Sequence, residues 1–244
     1  MKLRQALLFA FAAPALLSCR PPAPTPVFAD GELSPAAPNL RRLERSGFAL
    51  AWLLPDISLA SYNAVHLAYP DLRYRTPPRH SSRGALGHDN YSLSDGFTRE
   101  LRSALEQSFH NEIAAASGWR PSAKREADLA EQTLEVRVSL VDLIVEVPLT
   151  QLAGDTLVFV ESIGAITVVI DIYDAATRRP VARFVDRRSI SPVSRRAMRA
   201  TPGPSLYEAR RIFRLWARSL RLALVAIEAA SASPAALATP VPTR

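Results

Sequence analysis

The chain has 244 residues, a formal charge of +7 and a single cysteine. That length suits one domain with flanking tails, and one thiol excludes an internal disulfide. Of its 30 basic residues only Lys2 and Lys124 are lysine; because a guanidinium binds phosphate and carboxylate through a planar fork, the positions of the arginines carry more information than their number.

Lys2 and Arg4 precede an apolar stretch from Ala6 to Leu17, too short for a membrane span, which needs roughly 20 residues. The pattern predicts an export signal over residues 1–18. Leu16, Leu17, Ser18 and Cys19 resemble a bacterial lipobox, which implies that Cys19 is acylated and becomes the mature N-terminus. Arg20, and not aspartate, follows it, which by the habit of lipoproteins points to the outer membrane, with the rest of the chain on its periplasmic face. Residues 19–45 contain Pro21, Pro22, Pro24, Pro26, Pro35 and Pro38 and are expected to form an extended tether. A domain is expected over 46–230 and a disordered tail over 231–244.

Within the domain, Tyr62–Tyr69 alternates enough to predict a strand. A long aperiodic segment follows, Asp71–Asn90. Phe97, Leu101, Leu105, Phe109 and Ile113 recur every four residues and predict a helix over Ser92–Ser117, opened by a capping box of Ser92 and Asp95. Thr133–Val147 alternates as a strand, but its apolar phase flips between Leu140 and Val141, the mark of a bulge. Ile163–Asp174 and Val181–Ile190 read as two strands joined by a turn. Ser205–Ala230 predicts a closing helix, with Ser205 and Glu208 in S-x-x-E spacing and Ala209, Phe213, Trp216, Leu220, Leu224 and Ile227 as its buried stripe. The order β-α-β-β-β-α predicts an α+β two-layer sandwich, a four-stranded mixed sheet with both helices on one face.

Four short motifs, Ser46-Gly47-Phe48, the turn Asp174 to Thr177, Asp186-Arg187-Arg188 and Trp216-Ala217, resemble those of a family of proteobacterial outer-membrane lipoproteins of unknown function. The resemblance covers roughly Ser46–Ile227 and implies no activity. Family members often carry glycine after the D-x-x-T turn, where this chain has Arg178. The element order is also similar to that of small periplasmic lipoproteins that assist outer-membrane assembly or transport.

Arg73, Arg75, Arg79 and Arg83 lie in the segment after the first expected strand, and Arg187, Arg188, Arg195, Arg196 and Arg199 lie around the one after the last. If the first, second and fourth expected strands are parallel, both segments leave one edge of the sheet and form a composite anion-binding surface near the helix N-termini. The expected partners are the membrane, through lipid on Cys19, and an anionic envelope component or acidic protein; nucleic acid is a poor partner for an exported chain. Arg210, Arg211, Arg214, Arg218 and Arg221 read as the solvated face of the closing helix. Glu146, Asp155 and Glu161 read as surface acids.

His80, His88 and Asp89, with Ser81 and Ser82, offer an alternative, an envelope hydrolase, but no G-x-S-x-G turn is present to place the serine. No histidine pair has metal-binding helical spacing, and no glycine-rich phosphate loop occurs, so neither metal nor cofactor is expected. The sequence thus reads as a non-enzymatic accessory or binding module of the cell envelope.

Overall fold

The computed structural model describes residues 27–34, 36–76, 91–115, 119–122, 132–146, 159–192 and 197–231. The four expected strands are present as β4 (Ala64–Leu67), β7 (Thr133–Val145), β9 (Gly164–Asp174) and β10 (Pro180–Ser189), neighbours in one sheet. β4 runs parallel to β7, and β7, β9 and β10 form an antiparallel meander. The fold is therefore α+β with a mixed sheet and two helices, α1 (Asp95–Ala114) and α2 (Pro202–Ser231).

The sheet is larger than expected. Among the described residues it has nine strands, because β1 (Val27–Ser34), β2 (Ala37–Glu44) and β3 (Leu50–Leu53) extend it beyond β10, β6 (Arg120–Ser122) pairs with β4, and β5 (Asp71–Tyr74) pairs with β7. Two expectations are corrected here. The tether assigned to residues 19–45 contains β1 and β2, a hairpin whose Leu40 and Leu43 are buried. Its prolines misled: Pro38 stands one residue into β2, at the hairpin end, where a missing N–H costs little. The aperiodic segment Asp71–Asn90 begins with β5, half-exposed and held by backbone pairing to β7 more than by any apolar pattern.

Both helix starts also differ. Ser94, not Ser92, caps α1, accepting a hydrogen bond from the Phe97 N–H at 3.3 Å. α2 begins at Pro202, three residues before the expected cap, since proline at the first helical position loses no hydrogen bond. Ser205 is instead buried and donates to the Thr201 carbonyl, and Glu208 pairs with Arg211.

The core lies between the helices and one face of the sheet. Leu134, Val136, Val138 and Leu140 of β7, Ile166, Val168, Ile170 and Ile172 of β9 and Phe184 of β10 meet the stripes of α1 and α2 there, Trp216 and Phe213 among them fully buried. A side chain such as Leu or Phe contributes about 1.5–3 kcal/mol on full burial, so this layer is the main source of stability. The expected bulge falls between Val141 and Ile144, where Asp142 takes φ 49° and lets Leu143 and Val145 return to the core.

Candidate anion-binding end of the sheet

β7 and β10 are parallel and finish at the same end: Ile144 pairs with Ala165 of β9, and Ala165 with Ser189 of β10. β5 finishes there too, with Tyr74 opposite Leu143 and the Arg75 N–H bonded to the Leu143 carbonyl at 3.3 Å. The same end receives both helix N-termini. Tyr91, just before α1, donates its N–H to the Val145 carbonyl, and α2 starts soon after β10 through the short strand β11 (Met198–Arg199), which pairs with β8 (Phe159–Val160). The segments after β5 and β10 thus leave one end of the sheet, as the strand order requires.

Two guanidiniums converge there on one carboxylate. Arg75 reaches Asp142 Oδ2 at 3.5 Å and Arg187 reaches the same oxygen at 4.0 Å, with Arg187 also donating to the Thr167 hydroxyl at 3.5 Å. The bulge turns Asp142 outward between them, and all three side chains are close to half exposed, at 43–52%. Exposed pairs of this kind contribute little to folding, about 0–1 kcal/mol each. They leave two forks of donors facing water around a single acceptor, an arrangement suited to holding a phosphate or carboxylate.

Of the arginines singled out from sequence, Arg75 and Arg187 belong to this site. Arg73 lies within β5 and its Nε contacts Asp71 at 2.6 Å, a strand residue with a strand partner and not a loop cation. Arg199 sits in β11, and the Thr201 N–H bonds to its carbonyl at 2.9 Å. Cys19, Arg79, Arg83, Arg195 and Arg196 lie outside the described residues, as do His80, His88, Asp89 and Asp155. Asp142 is the site member that the sequence did not point to; Arg187 was expected only as one of several arginines around the segment after the last strand. The flip in β7 was the available signal for Asp142, and the alternation of β10, which turns Arg187 away from the core, was the signal for Arg187. Of the α2 arginines, Arg210, Arg214 and Arg218 are exposed, as expected of a solvated face, but Arg211 and Arg221 are part-buried, Arg211 paired with Glu208 and Arg221 reaching Glu112 of α1 at 2.8 Å.

A second polar region lies on the sheet face opposite the helices. Arg137, Asp171, Arg183, Trp52 and Arg42 stand in one cross-strand row over β7, β9, β10, β3 and β2. Arg183 bonds Asp171 at 2.9 Å, Arg137 lies over the Tyr173 ring and Arg42 over the Trp52 ring. Burial pushes the Asp171 carboxyl above its ordinary range although Arg183 and Arg137 pull it down. At the edge of this face Glu135 is fully buried and accepts from both Arg137 and Arg178. This is a structural network, since every charge in it has a partner within the same face.

At the opposite end of the sheet, the Asp174 carboxylate accepts from the Thr177 N–H at 2.7 Å and from the Tyr62 hydroxyl at 2.9 Å. Burial raises its pKa, but these hydrogen bonds outweigh burial and leave it lowered. Arg178 follows with φ 58°, the left-handed conformation that glycine adopts without cost, and its ion pair to Glu135 holds it there.

Among the described residues, an apolar gap lies at the arginine-bearing end between α1, α2 and the sheet, lined by Phe97, Leu101, Leu143, Ile163, Ile190 and Ala209. With about 10 Å³ of free space it is a packing defect and smaller than a ligand pocket. Among the described residues no group of His, Cys, Asp and Glu is arranged to hold a metal ion, and no helix is long and apolar enough to cross a membrane.

Fold and site define an α+β two-layer protein with an arginine-flanked carboxylate at one sheet end. No known protein family matches the chain, and no curated protein matches it. Among solved structures it is similar to the PelC dodecamer from Paraburkholderia phytofirmans (11% identity, TM-score 0.36, covering 70% of this chain and 97% of that one). It is similar as well to protein XCC0632 from Xanthomonas campestris, of the family of unknown function DUF330 (12%, TM-score 0.36, 73% and 91%). A third likeness is to a putative neuraminyllactose-binding hemagglutinin homolog from Helicobacter pylori (8%, TM-score 0.32, 68% and 81%). Scores at this level carry no assignment of function.

Proposed function

We propose that this chain is a lipid-anchored, non-enzymatic binding module of the cell envelope, held at the outer membrane through Cys19, whose arginine-bearing sheet end binds anionic groups. The observation that carries the reading is the convergence of Arg75 and Arg187 on Asp142. Two guanidiniums sharing one exposed carboxylate keep unused donors, and an incoming phosphate or carboxylate gains charge-assisted hydrogen bonds from both. The leader, the lipobox tetrad and Arg20 support the anchor and the address.

The test is co-sedimentation of the soluble chain, starting at residue 20, with phosphatidylglycerol-containing vesicles at low salt. Replacing Arg75 and Arg187 together by Gln is expected to lower binding several-fold while the circular dichroism spectrum stays unchanged. Equal binding by the folded double variant overturns the reading. For the anchor, Cys19→Ala is expected to leave a longer, unacylated precursor, visible by mass spectrometry of the intact chain; the same mature N-terminus as wild type overturns the lipobox.

A further inference from the structure

We infer that the sheet end carrying Asp142 faces the membrane that holds the lipid on Cys19, so that Arg75 and Arg187 meet the anionic headgroups of that same membrane. This rests on the reading above and adds to it an orientation and a ligand class.

The strand directions carry the inference. β1 is antiparallel to β2, β2 to β3, and β3 to β10. The chain therefore enters β1 from the end at which β10 leaves, which is the end of Asp142 and Arg187. Register gives the level: Val27 pairs with Glu44 of β2, Arg42 with Trp52 of β3, and Trp52 with Arg183 of β10. Counted across, Val27 stands near the level of Val185, four residues before the end of β10 at Ser189, or roughly 13 Å at about 3.3 Å per residue.

The length of chain between anchor and sheet supplies the second constraint. Seven residues separate Cys19 from Val27, four of them Pro21, Pro22, Pro24 and Pro26. At about 3.1 Å per residue, eight steps of a proline-rich connection can reach roughly 25 Å. About 13 Å of that reach is needed to clear the sheet end, so that end lies within roughly 12 Å of the acylated cysteine. Any path shorter than full extension brings that end closer, within the screening length of about 8 Å in physiological salt at which headgroups feel the charge on Arg75 and Arg187.

The reverse orientation consumes nearly all of the connection. The tip of the β1–β2 hairpin, Ser34 and Ala37, lies seven residues beyond Val27, roughly 23 Å at about 3.3 Å per residue. A connection that doubled back to put that tip toward the bilayer would keep only about 2 Å of its reach after clearing the hairpin, against roughly 12 Å in the inferred orientation, and would need a full reversal before Val27.

The experiment uses the acylated full chain in vesicles of phosphatidylcholine with phosphatidylglycerol and a headgroup-linked energy-transfer acceptor. Because acylation occupies Cys19, a single donor dye can be placed on Ser92→Cys, exposed beside the Asp142 end, or on Ala176→Cys, exposed in the β9–β10 turn at the other end. Transfer is expected to be strong from position 92 and several-fold weaker from position 176. Equal transfer, or the opposite order, overturns the orientation. Preference of the soluble chain for phosphatidylglycerol over phosphatidylcholine is measured in parallel. If the preference is present and the transfer order reversed, the orientation falls and the anion-binding reading stands. If the transfer order is as expected without the preference, the headgroup contact and that reading both fall, and the tether alone orients the domain.

Discussion

Trp216 donates its indole N–H to the Asp186 carboxylate across 2.7 Å, tying α2 to β10 inside the core. The two residues come from separate short motifs, and Arg188 of the same strand motif pairs with the same carboxylate at 2.9 Å. Trp216→Ala is expected to destabilise the fold by about 3–5 kcal/mol, the range for truncating a large buried aromatic. Asp186→Ala, which leaves a buried N–H without its acceptor, should cost about 1–3 kcal/mol. Urea denaturation measures both, and a loss below about 1 kcal/mol for Trp216→Ala would contradict the packing described.

The β9–β10 turn balances backbone strain against a buried charge. Arg178→Gly relieves the left-handed conformation, a gain of about 1–2 kcal/mol, but removes one of two cations from Glu135, which is fully buried. Breaking a buried pair typically costs about 3–5 kcal/mol. The variant should therefore be less stable than wild type, and combining it with Glu135→Gln should restore part of the loss. A more stable single glycine variant would mean that the ion pair contributes nothing.

Gly164 opens β9 at φ 150°, where an added Cβ would overlap the Ile144 carbonyl oxygen of the bulged strand. Backbone atoms on a paired strand cannot yield as a flexible side chain can. Gly164→Ala is expected to destabilise by roughly 3 kcal/mol or more through steric strain at this crossing, read as a lowered melting temperature. A near-wild-type value would show that β7 and β9 separate easily at this end.

Tyr62 links stability to alkaline pH. Burial, then its hydrogen bond to Asp174, pushes the Tyr62 hydroxyl up to about 12 from an ordinary value of 10.0. Between those values the unfolded chain has lost the proton that the folded chain keeps, so stability is intact below pH 10 and falls as pH rises toward 12. Tyr62→Phe should flatten that part of a stability-versus-pH curve. An unchanged slope would assign the alkaline loss to other groups.

The central meander was legible because β7, β9 and β10 alternate with a period of two, and the one break in that alternation marked the bulge that turns Asp142 outward. β1 and β2 were hidden by Pro35 and Pro38, residues that oppose strand formation except near a hairpin end. Leu50–Leu53 is too short to show a period, and the pattern of β5 is hidden because pairing to β7, not apolar burial, defines it. The end of the sheet that carries Arg75 and Arg187 was legible only as a direction, from strand order. That Arg75 meets Asp142, and that Arg187 and not Arg73 completes the pair, depends on register across three strands, which no local pattern encodes.

Asp142 sits where a small polar side chain is tolerated, since asparagine adopts the left-handed region about as readily as aspartate. Asp142→Asn should preserve the bulge at φ 49° while removing the carboxylate that Arg75 and Arg187 share. Both guanidiniums then turn to outside anions. The soluble variant is expected to bind phosphatidylglycerol vesicles several-fold more tightly than wild type at low salt, with the difference shrinking as salt screens exposed charge. Stability should change by no more than about 1 kcal/mol, because both lost pairs are exposed. Tighter binding that survives in the Arg75→Gln, Arg187→Gln background would locate the anion-binding surface elsewhere. Unchanged binding by the single variant would mean that Asp142 does not compete for these two arginines.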